Sequence, residues 1–281
     1  MTTLLEIRQV SKTFKSGGMF GRHVVQAVDR VDFALAMERP EIFTIIGESG
    51  SGKSTLARMI LNSVSPSDGA ILFRGRDLAA IRNRRDRLAF MADVQPVFQN
   101  PFEAFNPLKR LDRYLYMAAR RFCGARTRDE AEARADAALR KVGLSLAEVR
   151  GRFPHEMSGG QLQRVAIARA LVPEPALVVA DEPVSMIDAS LRMTIVNMFR
   201  ALRDEFGVSI IYITHDLATA YTISDRLIIM EKGKVVESGP ARAVLDAPSH
   251  PYSIRLLQAV LPIGNAWRDE HPAEPWPQPA A

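Results

Sequence analysis

The residues Gly47-Glu48-Ser49-Gly50-Ser51-Gly52-Lys53-Ser54 fit the spacing GxxxxGK[ST]. Glycines at those offsets let backbone N–H groups turn inward around phosphate oxygens, and a helix that follows aims its N-terminal dipole at the same charge. Lys53 is then placed to reach the β and γ phosphates of a nucleotide, and the Ser54 hydroxyl to ligate Mg²⁺. The candidate nucleotide-contacting set runs from Gly47 through Thr55. Two acids, Asp181 and Glu182, end the apolar run Ala176 to Ala180. Beside a phosphate loop, an Asp at a strand end holds Mg²⁺, and an adjacent Glu can polarise an attacking water. Ser158-Gly159-Gly160-Gln161 precedes a helical stretch and offers a second anion site of hydroxyl and backbone N–H groups. His215 closes the run SIIYIT, 33 residues after Glu182. Gln99, in VFQNP, follows another short apolar run, where its amide can reach Mg²⁺ or water. Phe14 packs as core on periodicity alone, or stacks on an adenine.

These groups need elements to hold them. Leu4 to Val10 alternates as a half-buried strand does, and Val24 to Leu35 reads as one or two more strands. Ile42 to Ile46 is a short apolar run suited to a fully buried strand, and Ser54 to Val64 has helical spacing. Strands are expected at Ala70–Phe73, Val94–Phe98, Ala176–Ala180, Val208–Thr214, Leu227–Met230 and Val235–Glu237. Helices are expected over Asp129–Val142, Gln161–Leu171, Leu191–Phe206 (with Gly207 as C-cap) and Leu217–Ile223, with a short one after Pro251. Residues 100–165 read as a helical insertion. The fold class is therefore α/β, a parallel sheet flanked by helices. The domain spans 1–262, and the Pro-rich stretch 263–281 reads as a disordered tail.

Composition narrows the classes. The 281 residues are 47% hydrophobic and 25% charged, ordinary for a globular chain and too apolar for a disordered one. The longest uncharged stretches run to about a dozen residues, such as Leu256 to Trp267, against the ~20 a spanning helix needs. The opening MTTLLEIRQVSKTFK shows no apolar core of a secretory signal. The single cysteine, Cys123, excludes an internal disulfide and a cysteine-based metal site. Net charge is +5, and Arg supplies 30 of the 37 basic residues. That balance suits phosphate ligands, nucleic acid or an anionic membrane surface without choosing among them. The Arg74 to Arg87 stretch is the best support for nucleic acid.

Taken together and in this order, the motifs resemble an ABC-type ATPase, from about Leu4 to Pro262. The resemblance implies a nucleotide-hydrolase core, an N-terminal antiparallel β subdomain and an inserted α-helical subdomain, with ATP and Mg²⁺ as ligands. It implies Glu182 as general base, His215 as γ-phosphate sensor, Gln99 as a lever at the hinge to the insertion, Phe14 as the adenine platform and Asp188 as the D-loop acid. It implies two ATPase subunits sandwiching two ATP molecules, each Ser158-Gly159-Gly160-Gln161 capping the partner's nucleotide. The stretches VFQNPFEAFNPLKR and HPYSIRLLQAVLP are similar to the oligopeptide/dipeptide class of bacterial importers, which also carries nickel, opines and some oligosaccharides. That class implies membrane permease subunits, an extracytoplasmic solute-binding protein, a second ATPase that is more often an unlike chain, and a place on the cytoplasmic face of the membrane; no nucleic acid is expected. The alternative is the same ATPase in a soluble metabolic complex, such as phosphonate breakdown, or in a nucleic-acid complex. The chain departs from the family's pattern at Met157, at Met186-Ile187, at Glu41 after Arg39-Pro40, and in a long stretch from Leu88 to Pro96 before Gln99.

Overall fold

The computed structural model describes residues 2–16, 23–102, 104–185 and 187–260. The proposed tail from 263 and residues 17–22, most of the glycine-rich loop read at Lys15–Arg22, lie outside the described residues. Two sheets carry the fold. The first is antiparallel, in order β2-β1-β4-β5, built from β1 (Thr3–Ser16), β2 (His23–Ala36), β4 (Asp68–Phe73) and β5 (Arg76–Asp77). The second runs β10-β9-β3-β8-β7-β6, from β3 (Ile42–Ile46), β6 (Val94–Val97), β7 (Leu177–Asp181), β8 (Ser209–Thr214), β9 (Arg226–Glu231) and β10 (Lys234–Pro240). Four of its five pairings are parallel; the fifth is the β9–β10 hairpin at one edge, which turns at Lys232 and Gly233, both with positive φ.

The continuous apolar runs are buried on both faces, as a parallel sheet requires. Every residue of β3 and β8 is buried. Alternation then divides each strand between two cores. Phe43, Ile45, Ile211 and Ile213 face the antiparallel sheet, packing with Leu5, Ile7 and Val28 and with Leu56 and Met59 of α1 (Lys53–Ile60). Ile42, Ile210 and Tyr212 face the other way, into a core shared with Phe199 of α7 (Ala189–Asp204). That second core continues into the insertion through Leu111 and Leu115 of α3 (Leu111–Phe122), Leu139 of α4 (Arg128–Arg140) and Leu162 and Val165 of α6 (Gly159–Leu171). Each such large side chain contributes about 1.5–3 kcal/mol on full burial.

Most predicted elements are present, within a few residues. Helix α8 (Leu217–Ile223) has the predicted bounds, and Gly207 takes φ 67 just past α7. Three differences have physical causes. Strand β1 continues to Ser16 because Gln9, at φ 46, bulges the strand and breaks the alternation read in the sequence. Helix α1 stops at Ile60, where Asn62 turns left-handed at φ 52. The arginine-rich stretch contains a helix not read in the sequence, α2 (Arg84–Asp93). It is capped by Asn83, whose Oδ1 accepts the Asp86 N–H at 2.8 Å, and it buries Phe90. Here Arg74 pairs with Asp93 at 3.1 Å and Arg76 with Asp86, so part of the basic run is neutralised within the chain. Short helices α5 (Leu146–Val149) and α9 (Ala241–Asp246) complete the set with α10 (Pro251–Val260), which follows Pro251 as expected.

Glu41, which departs from the family's pattern, has a structural task. It is buried and accepts from Arg226 Nη1 at 3.1 Å; the same nitrogen donates to the Ala34 carbonyl, also at 3.1 Å. The pair ties the start of β9 to the end of β2. Burial pushes the Glu41 carboxyl up, and Arg226 opposes that.

Candidate nucleotide site at the strand ends

Strands β3, β8, β7 and β6 lie side by side and parallel, so their C-terminal ends form one edge. The register sets Ile46 beside Thr214, Asp181 beside Ile213, and Val97 beside Ala180. Each strand releases one candidate motif at that edge: the phosphate loop after β3, His215 after β8, Asp181-Glu182 at β7 and Gln99 after β6. Parallel open sheets bind ligands at this edge.

The loop is held tightly. A Cβ on Gly47 would stand 2.3 Å from the Met230 carbonyl oxygen, and one on Gly52 would stand 2.2 Å from the Ala27 carbonyl oxygen. Gly52 also takes φ 105 as the residue before α1 and caps it with no side chain, so the first-turn N–H groups of α1 have no side-chain acceptor from their cap. Lys53 is buried and its Nζ donates to the carbonyls of Gly47 at 2.6 Å and Glu48 at 2.7 Å. Burial holds its pKa below the ordinary value, against the pull of Glu182, Asp181 and Glu48. The buried Ser51 hydroxyl has no partner among the described residues. An orphaned hydroxyl, a buried cation and open helix N–H groups fit the oxygens of a polyphosphate.

Ser54 is exposed beside Asp181; burial pushes the Asp181 carboxyl up, and the Ser54 hydroxyl opposes that. A hydroxyl beside a carboxylate suits Mg²⁺, a hard cation that keeps oxygen ligands. Glu182 adopts φ 47, left-handed for a residue with a Cβ, at a cost of about 1–2 kcal/mol. Its N–H donates to the Ile213 carbonyl at 2.9 Å, and its own carbonyl accepts the Ser185 hydroxyl at 3.0 Å. This strained turn brings the carboxylate between two neighbours. Gln99 Nε2 donates to Oε2 at 3.1 Å, and His215 Nδ1 lies 2.9 Å from Oε1. An ionised carboxylate only accepts, so Nδ1 carries the hydrogen. Asp216 fixes the turn behind His215 by capping α8, with its Oδ1 accepting from Ala218 at 3.0 Å and Thr219 at 3.3 Å.

The structure thus brings Lys53, Ser54, Gln99, Asp181, Glu182 and His215 to one edge. Asp188 is exposed at the start of α7 and makes no side-chain cap. Phe14 stands exposed on β1 with Lys12 Nζ 5.2 Å from its ring centre. No hydrogen bond or ring contact among the described residues joins Phe14 to the phosphate loop. The residues Ser158 to Gln161 lie apart, at the start of α6. The Ser158 Oγ accepts the Gln161 N–H at 3.3 Å, and Gln161 Oε1 accepts the Ser158 N–H at 3.1 Å. The cavity beside them, about 320 Å³, is lined by Ser158, Gly160, Gln161, Arg164 and residues of α7, and by none of the loop. A Cβ on Gly159 would meet nothing within 4 Å, and one on Gly160 only the Leu191 side chain at 2.9 Å.

Sequence reasoning missed two participants. Tyr252 of α10 is buried, and its hydroxyl accepts the Glu48 N–H of the loop at 3.1 Å. Arg169 of α6 reaches the segment after Gln99, donating from Nη1 to the Ala104 carbonyl at 3.2 Å. Tyr252 lies in HPYSIRLL, already singled out as a motif, but nothing in its spacing points back 204 residues to the loop.

Comparison with known proteins agrees with this geometry. Residues 30–185 match the model of the ABC transporter family. The oligopeptide transport ATP-binding protein AppF of Bacillus subtilis is 40% identical over 261 residues, 92% of this chain and 78% of that one. The nickel import ATP-binding protein NikE of Rhodospirillum rubrum is 39% identical over 264 residues, 93% of each chain. Among solved structures, the ATP-binding cassette MJ0796 in a dimeric post-hydrolysis state with ADP and Pi superposes with TM-score 0.74 at 27% identity, covering 85% of this chain and 99% of that one. CbiO1 of Clostridium perfringens, part of the transporter complex cbiONQ, gives TM-score 0.73 at 26% identity over 93% of this chain and 97% of that one. With the phosphate loop, the strand-end acids and the helical insertion in one cassette, the chain belongs to the ABC transporter family and is an ABC ATPase.

Proposed function

We propose that this chain is the ATP-hydrolysing subunit of a bacterial importer of the oligopeptide, dipeptide or nickel kind, docked on the cytoplasmic face of the membrane. The site residues support the chemistry. Lys53 and the α1 N-terminus hold the β and γ phosphates, and Ser54 and Asp181 hold Mg²⁺. The metal, when bound, neutralises charge between the phosphates. Glu182 takes the proton of the attacking water as its oxygen bonds to the γ phosphorus and the bond to the β-bridging oxygen breaks. His215 and Gln99 orient that carboxylate. The products are ADP and phosphate.

The observation that carries the assembled reading is the pair Gly159 and Gly160. Neither has a left-handed φ and neither is walled by backbone. Glycines that the chain's own packing does not demand suit the close approach of an outside group. In this reading that group is the nucleotide held by a second ATPase subunit, of the same or an unlike chain. A second surface suits the permease. The chain around and after Gln99 exposes Phe98, Phe102 and Leu108, the last at 85%. No helix among the described residues is long and apolar enough to cross a membrane, so transport needs separate membrane subunits. The substrate is chosen by those subunits and by a solute-binding protein outside the membrane.

The test is a gentle detergent pull-down of the tagged chain from its native membranes. Recovery of two membrane subunits and a second ATPase supports the importer. Recovery of soluble enzymes or nucleic acid without membrane subunits would sink it and leave the ATPase chemistry standing.

A further inference from the structure

The segment after Gln99 is tied at both ends, and the two ties belong to different bodies. At the near end, Gln99 Nε2 donates to Glu182 in the hydrolase core at 3.1 Å. At the far end, two helices of the insertion hold it. Tyr114 of α3 accepts the Asn106 N–H on its hydroxyl at 2.7 Å and stacks edge-on against buried Phe105, with ring centres 5.0 Å apart. Arg169 of α6 donates to the Ala104 carbonyl at 3.2 Å and lays its guanidinium 5.3 Å from the centre of the Phe105 ring. Burial pulls the Arg169 pKa below its ordinary value. A half-buried guanidinium is a costly way to hold a loop when a packed apolar side chain would be cheaper. It brings a planar fork that bonds a carbonyl and covers a ring at once.

Arg169 sits in the last turn of α6, and Ser158 caps the first. The 13-residue helix is about 20 Å long at 1.5 Å per residue, and it is packed into the core along Leu162, Val165 and Ile167. A displacement of Ala104 is therefore carried to the far end of one rigid rod. The geometry points to Arg169 as the positioning residue that couples the Gln99–Glu182 contact to the attitude of the Ser158-Gly159-Gly160-Gln161 turn. When Glu182 exchanges its Gln99 partner for water and phosphate, the near tie is released, and Arg169 passes the change at Ala104 to α6. This rests on the importer reading, because the turn acts on a second subunit's nucleotide.

The experiment uses the complete complex with its membrane subunits and solute-binding protein, reconstituted in vesicles. ATP turnover is measured with and without transported solute for wild type, Arg169→Lys, Arg169→Met, Phe105→Leu and Gln99→Ala. Arg169→Met and Phe105→Leu are expected to lower solute-stimulated turnover about tenfold while unstimulated turnover and the KM for ATP stay within twofold. Arg169→Lys, keeping charge without the planar fork, is expected to fall between. In Gln99→Ala the lever is already cut, so adding Arg169→Met is expected to cause no further loss. Independent losses that multiply, or stimulation preserved in both Arg169→Met and Phe105→Leu, would overturn the coupling role. Equal losses of stimulated and unstimulated turnover would make Arg169 a structural residue and overturn it too. A wild-type complex that solute never stimulates would instead remove the importer reading, and this inference with it.

Discussion

The phosphate loop and the Ser158-Gly159-Gly160-Gln161 turn both set glycines at the start of a helix, and the fold treats them in opposite ways. Around the loop, backbone carbonyls of Met230 and Ala27 close on Gly47 and Gly52, and Lys53 is buried against the loop's own carbonyls. Around the turn, Gly159 faces open space, and Ser158 and Gln161 satisfy each other. The loop's constraints are complete within one chain. The turn has the same residue economy with no use for it at home. Two sites of like chemistry thus differ in who imposes the constraint: the chain's own packing at the loop, and an incoming group at the turn.

The sharpest test lies on the loop side. Glu182→Gln keeps the shape of the strained turn and the neighbours Gln99 and His215 but cannot take a proton. ATP turnover by the assembled complex is expected to fall about 10²–10⁴-fold, the usual worth of a general base. Nucleotide binding, measured separately, is expected to persist because Lys53 and α1 are untouched. Unchanged phosphate release would remove Glu182 from the base's role.

Glycine replacements set the two regions against each other directly. Gly52→Ala forces a Cβ to 2.2 Å from the Ala27 oxygen at φ 105, and should cost about 3 kcal/mol or more in denaturant unfolding of the isolated chain. Gly159→Ala should change that stability by less than about 0.5 kcal/mol, as surface substitutions do. In the assembled complex it should still lower ATP turnover about tenfold. If Gly159→Ala unfolds the chain, or leaves assembled turnover intact, the contrast between the regions fails.

The loop side was also the more legible in the sequence. Lys53, Ser54, Asp181 and Glu182 announce themselves by fixed offsets next to apolar runs, and parallel pairing then carries separate strand ends to one edge. The strained φ of Glu182 and the Gln99–Glu182–His215 triplet are products of register, which offsets do not encode. Helix α2 was hidden because three of its first four residues are Arg and only Phe90 is buried, so no apolar stripe marks it. Part-buried polar contacts were the least legible. Arg169 and Tyr252 read as surface residues in any one-dimensional pattern, and only packing shows which carbonyl or N–H they meet.

Titration separates the regions more gently. Burial raises the Asp181 carboxyl pKa in the folded chain. A raised pKa contributes stability that is present while the group is protonated and lost as pH rises through the folded value. Without nucleotide and Mg²⁺, the chain should therefore lose stability as pH climbs past the ordinary Asp range. Glu41, also raised, adds to the same trend. The depressed Lys53 acts with opposite sign, adding stability as pH climbs above its lowered pKa towards the ordinary lysine range. Asp181→Asn should flatten its part of the acid-side decline and abolish Mg²⁺-dependent nucleotide binding. Thermal midpoints across pH, for wild type and Asp181→Asn, read the difference. A decline of equal steepness in both would place its origin at Glu41.

The smallest expected effect concerns two buried polar side chains that look alike on paper. Ser51 in the loop and Gln163 on α6 each lack hydrogen-bond partners among the described residues. An orphaned buried polar group costs about 1–3 kcal/mol, so replacing either by an apolar side chain of similar shape should stabilise the bare chain. Their responses to ATP should then part. Ser51 lies within the phosphate loop, so Ser51→Ala should gain stability alone and lose part of the shift that ATP adds to the thermal midpoint, since that shift follows the dissociation constant. Gln163 is fully buried inside the core of the insertion, away from the loop. Gln163→Met should stabilise by about 1–2 kcal/mol with and without nucleotide alike. A loss of stability in Gln163→Met would mean that the amide is satisfied by bound water, and an undiminished ATP shift in Ser51→Ala would mean that its hydroxyl has no part in holding phosphate. Either result would narrow the contrast between a loop shaped for a ligand and a helix shaped for packing.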